Sequence, residues 1–198
     1  MTLDCFYPIF EDADWTRRMV PLGVKLVQLR MKDKPAAELR ANILAAQEVC
    51  RKSGTTLVIN DYWREAIDLG CEWVHLGQED LQAADVAAIR KAGIRIGVST
   101  HDHEELDRAL AMAPDYVALG PIYPTKLKKM KWHEQGLDRL REWRRLTGSI
   151  PLVAIGGMTQ TRVQEVFAAG ADIISVVTDI TLAPEPEAKL SAWLAATR

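Results

Sequence analysis

Asp61 and Asp80 are the residues whose type and setting point first to chemistry. Each closes a short apolar stretch, in Val58-Ile59-Asn60-Asp61 and Val74-His75-Leu76-Gly77-Gln78-Glu79-Asp80. Two carboxylates on neighbouring loops make a hard-oxygen donor pair. Magnesium is commonly held by one or two such groups together with substrate phosphates and water. Read singly, both acids would be helix caps or solvated loop charges. The basic residues around them favour the metal reading: Arg30 and Lys32 follow the preceding apolar run, and Lys128 lies in a later loop with Lys126, Lys129 and Lys131. Arg grips phosphate oxygens in a bidentate fork and Lys supplies a compact charge. The stretch 121–133 has no clear periodicity, a length that favours a functional segment over a plain connection.

Other residues are weaker pointers. Gly156-Gly157 ends one apolar run and Val177-Thr178-Asp179 ends the last. Glycines there let backbone amides approach an anion, although a tight strand-to-helix turn requires glycine anyway. His75 lies inside an apolar run and reads as a satisfied core histidine. His101 and His103 are two residues apart and do not share a helix face. Without Cys or a third His at ligand spacing, zinc is not indicated.

Elements must bring these residues together. Apolar runs over 5–10, 25–30, 56–60, 73–77, 95–99, 115–120, 151–156 and 172–177 show little alternation, as strands buried on both faces do. Helical periodicity fills 12–22, 35–54, 62–69, 83–92, 104–113, 134–147, 159–170 and 185–197. Within 35–54, Leu39, Ile43, Ala46 and Cys50 share one face, with Pro35 opening the helix and Gly54 closing it. Thr159 is the expected N-cap of the helix that Gly170 ends. Strand then helix, eight times, predicts an α/β fold: a closed (β/α)8 TIM barrel with parallel strands, occupying 1–198 as one domain. Every candidate residue then lies at the C-terminal rim of the barrel, where such folds carry their chemistry.

Composition agrees. An apolar fraction of 48% and a charged fraction of 26% are those of an ordinary globular protein, and a net charge of −2 argues against nucleic acid or an anionic membrane as partner. No run reaches the roughly 18 apolar residues of a membrane span, and the first residues lack the pattern of a secretory signal. Cys5, Cys50 and Cys71 have no paired spacing and read as free thiols, which suits the cytoplasm. The sequence leaves open whether the chain forms a homo-oligomer.

Motifs along nearly the whole chain resemble the thiamine phosphate synthase family: Gln28-Leu29-Arg30-Met31-Lys32, Ile59-Asn60-Asp61-Tyr62-Trp63-Arg64, Val74-His75-Leu76-Gly77-Gln78-Glu79-Asp80-Leu81, Gly97-Val98-Ser99-Thr100-His101, Gly120-Pro121-Ile122-Tyr123-Pro124-Thr125 with Lys128, and Ala154-Ile155-Gly156-Gly157. The resemblance implies a cytoplasmic transferase joining hydroxymethylpyrimidine diphosphate to hydroxyethylthiazole phosphate with release of diphosphate, by a dissociative mechanism assisted by Mg²⁺. By the same resemblance Asp61 and Asp80 hold Mg²⁺. Gln28, Leu29, Arg30, Met31, Lys32, Asn60, Ser99 and Lys128 hold the pyrimidine diphosphate, with Arg30, Lys32 and Lys128 stabilising charge as the bond breaks. Thr125, Lys126, Leu127, Gly157, Val177 and Thr178 surround the thiazole phosphate.

The pattern departs from the family at Leu127, where Thr is usual, and at Thr178, where Ser is usual. Both changes fall on the thiazole side. The chain also begins almost at its first strand, without the N-terminal extension of many members. Two other readings fit parts of the sequence. A thiazole tautomerase would need a proton-transfer residue in the loop after the sixth strand, where Pro121 follows Gly120 and the only histidine, His133, is distant. A non-catalytic barrel that binds phosphorylated ligands is favoured only by Leu127.

Overall fold

The computed structural model describes residues 3–125 and 133–198. Eight strands, β1 (Phe6–Phe10), β2 (Leu26–Leu29), β3 (Thr56–Asn60), β4 (Trp73–Leu76), β5 (Arg95–Thr100), β6 (Tyr116–Leu119), β7 (Leu152–Ile155) and β8 (Ile173–Val176), close in sequence order into a barrel. Every neighbouring pair is parallel, and β8 returns to β1 through the register Tyr7 to Ser175. All eight C-terminal ends therefore share one rim.

The helices lie between strands: α1 (Ala13–Met19), α2 (Ala36–Ser53), α3 (Trp63–Asp68), α4 (Gln78–Ala83), α5 (Val86–Lys91), α6 (His103–Ala111), α7 (Gly136–Thr147), α8 (Val163–Ala168), α9 (Thr178–Thr181) and α10 (Pro186–Thr197). In α2 the stripe Leu39, Ile43, Ala46 and Cys50 is the buried one, and Gly54 ends the helix at φ 60°, a left-handed conformation that costs glycine little.

The structure corrects three local expectations. The helix expected over 83–92 starts only at Val86, where the Asp85 side chain accepts from Ala88 N as its cap, and a separate helix over 78–83, ended by the extended Ala84, precedes it. Thr159 has the extended backbone of an N-cap, but its hydroxyl bonds Thr161 Oγ1 at 3.0 Å instead of a backbone amide. A short extra helix, α9, begins directly at Thr178.

Side chains sort into two layers. Tyr7, Leu26, Val58, Trp73, Tyr116, Ala118, Val153 and Ile173 fill the barrel, one or two from each strand but β5. There Gly97 takes the inward place, and a Cβ on it would sit 1.9 Å from the Tyr116 ring. Phe6, Val27, Leu29, Ile59, Val74, Ile96, Val117, Leu119, Ile174 and Val176 face the helices. The ring of Phe6 stacks on Trp193 of α10 at 5.8 Å between centroids. Loss of such a buried aromatic costs about 3–5 kcal/mol, so the last helix is held to the first strand.

Candidate active site

The two acids meet at the rim over β3 and β4. Asp61 follows β3 directly, with φ 63°, a left-handed backbone that Asp tolerates. Its amide donates to His75 O at 2.9 Å, which ties this turn to β4. Asp80 stands in the first turn of α4, where a negative charge suits the helix N-terminus. Gly77 lies between them: its N–H points to Asp61 Oδ1 at 3.5 Å, and a Cβ here would lie 3.5 Å from Asp80 Oδ2. Burial, and then the charge of Asp80, push the Asp61 carboxyl up to about 6; Arg30 pulls the other way. Asn60 Nδ2 also donates to Asp61.

Such a pair is costly without positive charge, and two hard oxygen donors beside Arg30 fit Mg²⁺. Among the described residues no group of three or more His, Cys, Asp or Glu gathers as a metal cage. A cleft of about 470 Å³ opens beside the pair, lined by Met31, Lys32, Asp61, Trp63, Arg64 and Asp80, among others. Tyr62, Trp63 and Arg64 of this wall were not singled out by spacing alone. Their signal in the sequence is the family-like motif that they share with Asp61.

Gln28 and Ser99, both expected at the rim, are reached from inside the barrel. Gln28 is 2% exposed, and its Nε2 donates to Tyr7 Oη at 2.9 Å. Ser99 Oγ is 2.7 Å from His75 Nε2, while Gln78 Nε2 donates to Ser99 O. His75 is buried, as expected, and burial followed by the Arg30 charge lowers its pKa to about 4, so the ring is neutral. Arg30 is thus the cation felt by both Asp61 and His75. Leu29 is different: its side chain packs outward with Leu39 and Ile43 of α2, which leaves only its backbone available to a ligand.

On the opposite side, Gly156 and Gly157 have φ of 97° and 66°. A Cβ on Gly156 would meet Pro121 Cα at 2.6 Å, and one on Gly157 would meet Pro124 O at 2.6 Å. Tyr123 N donates to Gly156 O at 3.1 Å. The two glycines are therefore required by close chain packing, whatever else their amides do. Val177 and Thr178 are half-buried where β8 passes into α9, and Thr125 is half-buried at the edge of the described segment. Lys126, Leu127 and Lys128 lie outside the described residues. His101 and His103 pair with Glu105 and Glu142 and do not converge.

A closed parallel barrel whose acids, Arg30 and glycine turns occupy one rim defines a (β/α)8-barrel enzyme. A family model for thiamine monophosphate synthase matches residues 7–180. Thiamine-phosphate synthase of Rhizobium etli is 60% identical over 197 residues, covering 100% of this chain and 97% of that protein. The same-named protein of Neisseria meningitidis serogroup A is 47% identical, covering 96% and 93%. In structure, thiamine phosphate pyrophosphorylase from Pyrococcus furiosus superposes with a TM-score of 0.85 at 22% identity, over 98% of this chain and 95% of that one. The chain belongs to the thiamine monophosphate synthase family.

Proposed function

We propose that this chain, acting as one barrel domain over 1–198 in the cytoplasm, joins hydroxymethylpyrimidine diphosphate to hydroxyethylthiazole phosphate and releases diphosphate. The observation that carries the reading is the meeting of the Asp61 and Asp80 carboxylates over Gly77 beside Arg30. Two acids and a cation at one barrel rim are what a diphosphate complexed with Mg²⁺ needs.

In the reaction, the bond between the pyrimidine methylene and the diphosphate oxygen breaks, and its electron pair leaves with the oxygen. The thiazole nitrogen then gives its lone pair to the methylene carbon. Arg30, Lys32 and Lys128 face a leaving group whose negative charge grows as the bond breaks, so they stabilise the transition state more than the bound substrate. Mg²⁺, held by Asp61 and Asp80, would add positive charge at the same place. Gln28, Asn60 and Ser99 orient the pyrimidine diphosphate, with Met31 in the cleft wall and Leu29 acting through its backbone. Thr125, Lys126, Leu127, Gly157, Val177 and Thr178 hold the thiazole phosphate. No covalent nucleophile is required. The side chains orient two reactants and oppose charge.

The test is diphosphate release by the purified protein given both substrates and Mg²⁺, repeated with each component left out. Release that needs all three, with an equal amount of thiamine phosphate, is expected. Binding of both substrates without release would overturn the reading.

A further inference from the structure

Between Gln28 and Ser99 runs an unbroken chain of buried hydrogen bonds that no step above uses. Gln28 Nε2 is 2.9 Å from Tyr7 Oη, Tyr7 Oη is 3.0 Å from Tyr116 Oη, Tyr116 Oη is 2.8 Å from His75 Nδ1, and His75 Nε2 is 2.7 Å from Ser99 Oγ. The chain crosses the barrel from β2 to β5 by way of β1, β6 and β4. We propose that Tyr7, Tyr116 and His75 are positioning residues: they form a one-way proton-ordered chain that fixes His75 as the Nε2–H tautomer and leaves the Ser99 hydroxyl hydrogen free to donate to the pyrimidine diphosphate. The assignment of that ligand rests on the function proposed above. The direction of the chain does not.

The direction follows from the orientation of the Gln28 amide, which turns Nε2 to Tyr7, and from counting hydrogens. An amide nitrogen only donates, so Tyr7 Oη accepts from Gln28. Tyr7 has one hydroxyl hydrogen, is buried, and its sole remaining partner among the described residues is Tyr116, so it donates there. Tyr116 has then accepted once, and its own hydrogen goes to His75 Nδ1. A neutral imidazole carries one hydrogen, now on Nε2, and gives it to Ser99 Oγ. With that lone pair engaged, the Ser99 hydrogen has no partner within the chain. Run in reverse, Ser99 would spend its hydrogen on His75 and offer only lone pairs. The pyrimidine ring nitrogens and the diphosphate oxygens are acceptors, and the forward chain is the one that presents them a donor. At the other end, every sealed-off side-chain nitrogen and oxygen among the described residues is hydrogen-bonded, and Gln28 Oε1 has no such bond. It is therefore open to water, as a ligand-facing acceptor.

Packing holds the chain in place. The Tyr116 ring lies over Gly97, where a Cβ would be only 1.9 Å from it. The His75 ring stacks on Tyr116 with centroids 5.6 Å apart and planes 16° from parallel, and Tyr7 meets Tyr116 edge-on at 6.0 Å. Neither hydroxyl can swing to another partner without moving a buried ring.

The direct test reads the His75 tautomer in ligand-free protein. In ¹⁵N-histidine-labelled protein, with His75→Gln to assign the signals, Nε2 is expected to be protonated and Nδ1 unprotonated. The opposite tautomer would reverse the chain and overturn the proposal. Tyr116→Phe keeps the ring over Gly97 and removes both inner links. It is expected to release the tautomer into a mixture and to raise KM for the pyrimidine diphosphate about tenfold, the loss of one well-placed hydrogen bond, with KM for the thiazole phosphate unchanged. Tyr7→Phe removes the links of its hydroxyl to both Gln28 and Tyr116 and leaves Tyr116 on His75. Cut off from the amide that sets the direction, the tautomer is expected to lose its bias, and the same KM to rise. A tautomer unmoved by Tyr116→Phe, or equal changes in both KM values, would overturn the positioning role. If the wild-type protein forms no thiamine phosphate, the proposed function fails, and the tautomer measurement still decides the direction of the chain.

Discussion

Replacing Asp80 by Asn should stabilise the protein in the absence of divalent cation and, with the same substitution, remove its response to Mg²⁺. Asp61 is held near 6 where an aspartate ordinarily titrates at 3.8, which sets the cost of its charge in the folded state at about 3 kcal/mol. The group is partly open to water, and screening reduces this to about 2 kcal/mol. Burial is the largest cause and survives the substitution; repulsion from Asp80 comes second. Relief of the repulsive share is worth about 1 kcal/mol, a rise in Tm of about 2–4 °C for a chain of this size. The sign fixes the pH window. Folded Asp61 binds its proton more tightly than the unfolded chain does, so wild-type stability falls as pH rises from about 4 to about 6, and the full penalty is present above 6. The advantage of Asp80→Asn should therefore be complete at about pH 8 and fade toward pH 4. Mg²⁺ at a hundred times its Kd adds about 2.7 kcal/mol to a native state that alone binds it. Wild-type Tm should then rise by about 5–10 °C, and the variant's hardly at all. Thermal melts with EDTA and with Mg²⁺ at both pH values measure all of this. A variant that melts below wild type in EDTA at pH 8, or that gains as much from Mg²⁺, would refute the paired-carboxylate reasoning.

Other outcomes follow from the packing of the barrel and its turns. Gly97→Ala puts a methyl inside the Tyr116 ring's space, 1.9 Å from its nearest atom. It should cost about 3 kcal/mol or prevent soluble expression, and an unchanged urea midpoint would show that the ring can move aside. Gly156→Ala forces φ 97° on a residue with a Cβ and drives that atom to 2.6 Å from Pro121 Cα. A loss of at least about 2 kcal/mol is expected in urea melts, with the thiazole-phosphate KM raised as the β7 turn shifts. Burial pushes the thiols of Cys50 and Cys71 up to about 12 and about 11. A thiol reagent at pH 8 should label them only on unfolding, and prompt labelling of either in native protein would contradict their burial.

The barrel itself was legible because parallel strands buried on both faces must be apolar throughout. Eight such runs, each punctuated by polar or glycine tips, leave few other architectures. The stripe Leu39, Ile43, Ala46 and Cys50 and the stop at Gly54 were legible for the same reason: helix period and left-handed backbone are local properties. So was the placing of Asp61, Asp80 and Arg30 at one rim, since parallel strands share their ends. Within the rim, tertiary structure alone decided the roles. That Asp80 faces Asp61 across Gly77 depends on α4 starting at Gln78, one residue after that glycine. That Leu29 faces α2 while Gln28 enters the barrel depends on the register with β3, because one residue's slip exchanges the two faces. The link from Gln28 to Ser99 through Tyr7, Tyr116 and His75 joins positions up to 109 residues apart, and its two bonds at Tyr116 span strands that are not neighbours in the sheet. No period or motif in a linear sequence encodes a contact made through the inside of a closed barrel.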